Sequence, residues 1–245
     1  MTIAEWIAQA SRTLKQPGIE SANLDVELLL THVLRVRRTT LHRNYEKRLT
    51  DKQKKIANDL LDLRHKRVPL AYLTGHKEFY KRLFKVTPDT LIPRPETEIM
   101  VENLIQLYKE RRFNTVLDVG TGSGALAITI KKELPECKVL ATDISKKTLA
   151  VAKDNARHHS ADITFIMSDL LTDVTVKPDI IMANLPYVDT KWQISPEAMY
   201  EPKNALFATQ RGLSLIKKLL TQIIKKKWRC VLLLEADPRQ HNELI

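Results

Sequence analysis

The chain is expected to be an α/β protein, a doubly wound, Rossmann-like parallel sheet preceded by a small N-terminal helical bundle. Three features of its 245 residues predict this. From residue 115 onward, short runs rich in Val, Ile and Leu alternate with segments of helical period, the pattern of parallel strands buried on both faces and joined by helices. Alternate glycines at 120, 122 and 124 lie between the first such run and the helix after it. Residues before 68 carry apolar side chains at three- and four-residue spacing, as amphipathic helices do.

In order along the chain, residues 2–15 place Ile3, Trp6, Ile7 and Ala10 on one helical face, 22–36 place Leu24, Leu28, Val33 and Leu34, and 50–67 place Ile56, Leu60, Leu61 and Leu63. Ser21 or Asn23 is expected to cap the second helix and Thr50 with Asp51 the third, because their oxygens can accept from unpaired N–H groups of the first turn. Phe79, Tyr80, Leu83, Phe84 and Val86 then lie in an extended stretch, and Pro88, Pro93 and Pro95 forbid a continuous helix, so a hairpin and linker follow. Helical spacing returns over 96–111. TVLDVG, KVLATD, ITFIMSD, DIIMAN and CVLLLEA read as strands, with helices over 124–133, 146–158 and 212–226. The expected domains are a helical substrate-docking module (1–75), the hairpin and linker (76–95) and the sheet (96–245).

At this length, with 43% hydrophobic residues, the chain can bury one sizeable core with a small appended one. Six glycines, eleven prolines and no low-complexity tract argue against fibrous or disordered classes. The opening MTIAEWIAQA lacks a charged leader followed by an apolar run, so no secretory signal is expected. No run reaches the roughly 20 apolar residues of a membrane span, and a cytoplasmic protein follows. Cys137 and Cys230 lie in or beside strand-like segments without zinc-ligand spacing and are expected to be reduced core thiols. The net charge of +11 is uneven, with 18 Lys and Arg against 9 Asp and Glu over 1–88, and 22 against 20 over 89–245. A basic module suits an acidic macromolecular partner; the alternative is a solvated basic helix surface.

The segment Asp118-Val119-Gly120-Thr121-Gly122-Ser123-Gly124 ends a strand and opens a helix. Glycines allow positive φ and close approach of a ligand, and a helix start leaves N–H groups unpaired, so this is a nucleotide-binding loop. The spacing is G-x-G-x-G rather than G-x-G-x-x-G and no hydride-transfer constellation follows, which favours a methyltransferase over a nicotinamide enzyme. Asp143 closes the next strand about 20 residues on, where a carboxylate can accept both ribose hydroxyls. Asp169 could accept from the adenine amino group, or cap a helix, while Leu170 packs on the ring.

In Asn184-Leu185-Pro186-Tyr187 an apolar strand ends abruptly in Asn, Pro and an aromatic ring. Ligands bind at the carboxyl ends of strands in such sheets, so Asn184 should project toward the cofactor methyl. An amide nitrogen is a poor nucleophile because its lone pair is delocalised. If the Asn184 oxygen and the Leu185 carbonyl each accept one N–H, the nitrogen is fixed in the line of attack. Pro186 would hold that carbonyl, and Tyr187 would lie against the planar acceptor. The sulfonium cofactor S-adenosylmethionine carries an activated methyl, so no metal is expected. The alternative is a plain turn at the strand end.

Asn184-Leu185-Pro186-Tyr187 is similar to the Asn-Pro-Pro-Tyr motif of amino-group methyltransferases. Leu73-Thr74-Gly75-His76-Lys77-Glu78-Phe79-Tyr80, Leu91-Ile92-Pro93-Arg94-Pro95-Glu96-Thr97-Glu98 and Leu24-Asp25-Val26-Glu27-Leu28-Leu29-Leu30 resemble segments of the release factor glutamine methyltransferases. The resemblance spans nearly the whole chain. It implies a class I methyltransferase sheet that methylates the glutamine (N5) of the Gly-Gly-Gln motif in class I peptide-chain release factors, modulating translation termination. It further implies that Gly120, Thr121, Gly122, Ser123, Gly124, Asp143, Leu170 and Asn184 contact S-adenosylmethionine and that Asn184 to Tyr187 hold the glutamine amide; from their places at strand ends, Asp118 and Asp169 are expected to join the cofactor contacts. Phe79, Arg94 and Glu96 would border the substrate pocket; for Arg94 and Glu96 the alternative is a salt bridge pinning the linker.

The chain departs from that family at Leu185, where proline is usual, and at Ile245, because such enzymes usually continue past the Leu-Leu-Leu-Glu strand into a further strand pair. The sheet domain is therefore expected to be C-terminally short, with an edge to cover. Two rivals remain: an N6-adenine nucleic-acid methyltransferase, for which no nucleic-acid module is visible, and a cofactor-binding protein without turnover. The expected partner is a release factor, with no membrane, no direct nucleic-acid binding and a monomeric state.

Overall fold

The computed structural model describes residues 1–244, which divide into two compact units. One comprises Met1–Gly75 with Ser195–Tyr200, the other His76–Ile194 with Glu201 onward.

The first unit holds helices α1 (Ile3–Lys15), α2 (Ala22–Leu34), α3 (Arg38–His42), α4 (Asp51–His65) and α5 (Leu70–Thr74). Thr2 and Thr50 cap α1 and α4, each accepting from the residue three on, while Glu5 and Gln53 reach back to the cap N–H groups, so two orphan donors are satisfied at each start. Ser21 precedes α2 but its side chain makes no capping bond, and Asn23 lies inside the helix. Trp6, Leu14, Leu29, Leu30 and Leu41 are fully buried at the centre. Helices α3 and α5 were not expected; at five residues each they are too short to show a period.

Arg64 on α4 is 5% exposed. Its Nε donates to Asp25 at 2.6 Å and its Nη1 to Glu197 at 3.1 Å, and Arg67 donates to the same Glu197 oxygen at 3.0 Å. The Tyr200 hydroxyl donates to the Lys66 carbonyl at 2.6 Å. A buried guanidinium is tolerated only when its donors find acceptors, and Ser195–Tyr200 carries one of them, which explains why this distant stretch packs with the helices.

The second unit opens with the hairpin β1 (His76–Phe79) and β2 (Arg82–Lys85), turned by Tyr80 and Lys81 at φ 47° and 59°, as a two-residue hairpin connection requires. The segment Pro95–Thr97 forms one 3-10 turn before α6 (Glu98–Glu110). Then follow β3 (Thr115–Val119), α7 (Ala125–Glu133), β4 (Lys138–Asp143), α8 (Lys146–His158), β5 (Thr164–Met167), β6 (Ile180–Ala183), β7 (Val188–Asp189), α9 (Lys203–Leu206), β8 (Phe207–Ala208), α10 (Ser214–Lys225), β9 (Val231–Leu234) and α11 (His241–Leu244). The two-residue β7 and β8 pair with each other.

The main sheet runs β5-β4-β3-β6-β9 with every pair parallel. This confirms the doubly wound α/β class. Successive strands step outward from β3 to β5, and the chain then returns to lay β6 on the other side of β3, so the topological switch point lies between β3 and β6, where ligands bind in open α/β sheets. Val116, Leu117, Val119, Ile180, Ile181 and Met182 are all buried, which accounts for the unbroken apolar runs. Cys137 and Cys230 are free thiols. The first is buried as expected, but Cys230 is only partly so, because it enters the edge strand β9. After β9 come a 3-10 turn at Pro238–Gln240 and α11 rather than a further strand among the described residues. None of those residues forms a helix long and apolar enough to cross a membrane.

Candidate functional site

Parallel register assembles the site. Val119 pairs with Thr142 on one side and Ala183 on the other, and Ala183 pairs with Leu234. One residue further on, Gly120, Asp143, Asn184 and Glu235 therefore come side by side at the carboxyl edge of four adjacent strands.

The glycine loop is held by its own backbone. The N–H groups of Gly120 and Thr121 both donate to the Thr142 carbonyl, at 2.9 and 2.8 Å. Gly120, Gly122 and Gly124 have φ of 77°, 57° and 81°, all in the region that favours glycine. A Cβ at Gly120 would lie 3.1 Å from Leu185 Cδ2, one at Gly124 3.2 Å from Ala152 Cβ, and one at Gly122 would meet nothing within 4 Å. Gly122 is thus the open part of the cradle, whereas Gly124 lets α7 pack on α8. From α8, the buried Asn155 donates to the Ser123 carbonyl at 2.8 Å and so ties down the loop's far end. Asp118 is 2% exposed and accepts from the Thr121 hydroxyl at 2.6 Å. Burial pushes its carboxyl up to about 7. Its side chain braces the loop from within.

Asp143 accepts from the Gly122 N–H at 3.1 Å through one oxygen and from the Ser145 N–H at 2.9 Å through the other. Burial raises its pKa. Each carboxylate oxygen has a second lone-pair direction, and the group borders a cavity of about 440 Å³, also lined by Gly120, Ile144, Leu170 and Asn184. That volume falls within the ~300–1,000 Å³ usual for small-molecule sites. An acidic acceptor, a bare glycine and the 64% exposed Ile144 together suit a nucleoside, whose diol needs acceptors and whose base needs an apolar face. The residues present therefore fit S-adenosylmethionine. Asp169 also lines the cavity, but its carboxylate is paired with Lys218 of α10. Leu170, at φ 56°, turns the chain there.

A smaller pocket, about 60 Å³, is lined by Phe79, Arg94, Thr97, Asp118, Gly122 and Asn184 among others. Asn184 and the glycine loop line both cavities. The Asn184 Nδ2 donates to the Thr97 hydroxyl at 2.9 Å, Thr97 donates to Glu235 Oε2 at 2.6 Å, and the Tyr187 hydroxyl donates to Glu235 Oε1 at 3.2 Å. Burial, with the Glu235 charge second, pushes the Tyr187 phenol up to about 12. Burial likewise raises the Glu235 carboxyl, against the opposing effect of its donors. The Tyr187 carbonyl accepts from Gln240 Nε2 at 2.8 Å. Leu185 is 3% exposed, and Pro186 lines the larger cavity.

Of the linker candidates, Phe79 and Arg94 line the small pocket. Arg94 also pairs with the buried Glu201, whose other oxygen accepts from the Ile92 N–H at 3.0 Å; this is the pinning salt bridge left open by the sequence. Glu96 is exposed and lines neither cavity. Sequence reasoning assigned no role to Ile144, Thr97, Glu235 or Gln240. Ile144 directly follows the acidic strand end, a position that signals it. Glu235 ends the apolar run CVLLLE much as Asn184 ends DIIMAN, a parallel visible in the sequence.

Comparison with known proteins adds an independent line. Residues 5–75 match the family model of the PrmC N-terminal domain, and residues 95–207 match that of the methyltransferase small domain. The chain is 37% identical over 233 residues to a release factor glutamine methyltransferase of Koribacter versatilis, covering 91% of this chain and 81% of that protein. It is 35% identical over 243 residues to one from Deinococcus radiodurans, covering 98% and 87%. Among solved structures, a ribosomal protein L11 methylase from Lactobacillus delbrueckii subsp. bulgaricus is similar at 24% identity and a TM-score of 0.47, covering 69% of this chain and 75% of that one.

Proposed function

The chain belongs to the release factor glutamine methyltransferases, and from that premise we propose that it transfers a methyl group from S-adenosylmethionine to the side-chain amide nitrogen (N5) of the glutamine in the Gly-Gly-Gln motif of a release factor. The observation that carries the reading is Asn184, shared by the two cavities at the switch point with its amide nitrogen tethered to Thr97. With the nitrogen committed, the side-chain oxygen is the atom left to accept an N–H from a substrate amide.

Bound S-adenosylmethionine supplies a methyl group already activated by its sulfonium centre. Asp143 would hold the ribose end by accepting hydrogen bonds from its hydroxyls, Ile144 and Leu170 would offer the base an apolar face, and the open Gly122 would leave room for the rest of the cofactor. Asn184 Oδ1 and the Leu185 carbonyl each accept one N–H of the glutamine amide, which turns its nitrogen toward the larger cavity. Tyr187 closes over the amide plane and excludes water. Orientation of this kind accounts for several orders of magnitude in rate. Leu185 serves in place of proline because the contact is a main-chain carbonyl, and its buried side chain fixes the position of that carbonyl.

We assign release-factor docking to the helical unit, whose stretch 35–48 exposes Arg35, Arg37, Arg38, Arg43, Lys47 and Arg48. Such a field speeds encounter with an acidic surface. The test is incubation with labelled S-adenosylmethionine and a release factor, either native or with the motif glutamine changed to alanine, with the methyl located by mass spectrometry. Methylation should occur on the native glutamine alone and fall on the order of 100-fold or more with Asn184→Ala, as for loss of an orienting group. Transfer to the alanine variant, or to duplex nucleic acid instead, would overturn the reading.

A further inference from the structure

Resting on that reading of Asn184, we propose that Glu235 and Thr97 act as a positioning relay that dictates which way round the Asn184 amide faces and, through the same carboxylate, anchors the ring of Tyr187. An asparagine amide can present oxygen or nitrogen with little change in shape, and only the oxygen can accept an N–H from an acceptor amide. Something must choose.

The choice follows from hydrogen-bond direction. A carboxylate at Glu235 is acceptor only, so Thr97, 2.6 Å away, spends its single hydroxyl proton there. The Thr97 oxygen is left with lone pairs alone. The Asn184 amide, 2.9 Å from that oxygen, must therefore turn its NH₂ inward and its oxygen outward. The second Glu235 oxygen accepts from the Tyr187 hydroxyl at 3.2 Å, so both polar side chains of the Asn-Leu-Pro-Tyr loop hang from one group. Burial favours this arrangement: Thr97 is 6% exposed, so little water competes for the bonds. The β6/β9 pairing, continued by the Glu235 N–H donating to the Ala183 carbonyl at 3.1 Å, fixes the carboxylate beside Asn184.

Glu235→Gln keeps the shape but introduces an NH₂ that frees the Thr97 hydroxyl to turn round and the Asn184 amide to reverse. Its kcat should fall on the order of 100-fold, the scale of a misoriented reacting group, with KM for both substrates within about threefold. Thr97→Val should match it, Thr97→Ser should keep near-normal kcat, and the double variant should be no worse than either single one, since both cut the same chain. Thermal melting shows which variants are folded.

A readout without turnover comes from selective ¹⁵N-asparagine labelling of the free protein, with the Asn184 side-chain signal identified by its loss in Asn184→Ala. Its NH₂ protons should exchange slowly in the unaltered chain and Thr97→Ser, and fast in Thr97→Val and Glu235→Gln. Unchanged kcat in folded Glu235→Gln and Thr97→Val, a loss confined to KM, or equal exchange in all variants would overturn the relay. Slow exchange without methyl transfer to glutamine would leave the relay standing and sink the proposed function; transfer with uniformly fast exchange would do the reverse.

Discussion

The glycine loop and the Asn-Leu-Pro-Tyr loop leave neighbouring parallel strands at the same register, yet they are held by different means. The first is held chiefly by glycine dihedrals and main-chain contacts, with two N–H groups on the Thr142 carbonyl and Asp118 bonded to Thr121 three residues on, while Asp143 at the next strand end and Asn155 on α8 tie its outer part. The second depends on side chains far away in sequence. Thr97 lies 87 residues before Asn184, Glu235 lies 48 residues after Tyr187, and Gln240 lies 53 after it. A loop whose shape is set largely by its own glycines can be read as a motif. A loop built from others' side chains shows only its outward-facing half.

This contrast can be broken from either side. Asp143→Ala should have the largest effect, weakening S-adenosylmethionine binding by about 100-fold to 10,000-fold by calorimetry, because two charge-assisted hydrogen bonds of about 1.5–3 kcal/mol each are lost. It should leave the exchange rate of the Asn184 amide unchanged; a faster rate would show that the two loops are not separately held.

From the other side comes Gly212→Ala. Gly212 has φ +82°, and a Cβ there would lie 1.9 Å from the Tyr187 carbonyl oxygen and 2.4 Å from Gln240 Nε2. The added methyl must displace the Asn-Leu-Pro-Tyr loop, at a cost of roughly 2–4 kcal/mol of stability. Methyl transfer should drop about tenfold or more while cofactor affinity stays near normal, and loss of cofactor binding would contradict the separation.

The smallest effect should be the one read from pH. Burial raises the Glu235 carboxyl above the usual range, so it takes up a proton at a higher pH than an exposed glutamate. Below that point the carboxyl itself becomes a donor and the Asn184 orientation is no longer enforced. The transfer rate should be full above the raised pKa and fall as pH drops through it. Thr97 and Tyr187 donate to Glu235, the Asn184 amide lies next to it and favours its ionised form while Glu96 opposes it, and Arg94 and Asp237 act on the adjoining Tyr187. The acid limb should vanish in Glu235→Gln, and a limb that persists there belongs to another group.

The same distinction between near and far explains what was legible. The strands around KVLATD and DIIMAN and the helix over 146–158 announce themselves because burial on both faces demands unbroken apolar runs and a half-buried helix demands its period. The place of Asp143 beside the glycine loop follows from two strand ends. The pairing of Asp169 with Lys218 and of Arg94 with Glu201 was not legible, because a charged side chain at a strand end or in a linker gives no sign of which distant group will meet it. Nor was the inward-facing nitrogen of Asn184, which bonds a hydroxyl that donates to Glu235 just past β9, the neighbour of β6 in the sheet but three strands later in the chain. The Ser21 cap failed for a local reason: its ψ of 13° departs from the extended geometry of a capping residue.

Arg64 and Arg67 carry a consequence for the newborn protein. Their shared acceptor Glu197 lies 133 and 130 residues later, and at synthesis rates of about 5–20 residues per second a ribosome needs roughly 7 to 27 s to supply it. Throughout that interval Arg64 can reach Asp25 and the Val68 carbonyl but not the segment that completes the unit. The final consolidation of the first unit to be made is thus scheduled by the translation of the second, and a nascent chain stalled before residue 197 should present these helices in a looser, more protease-sensitive form than the finished protein.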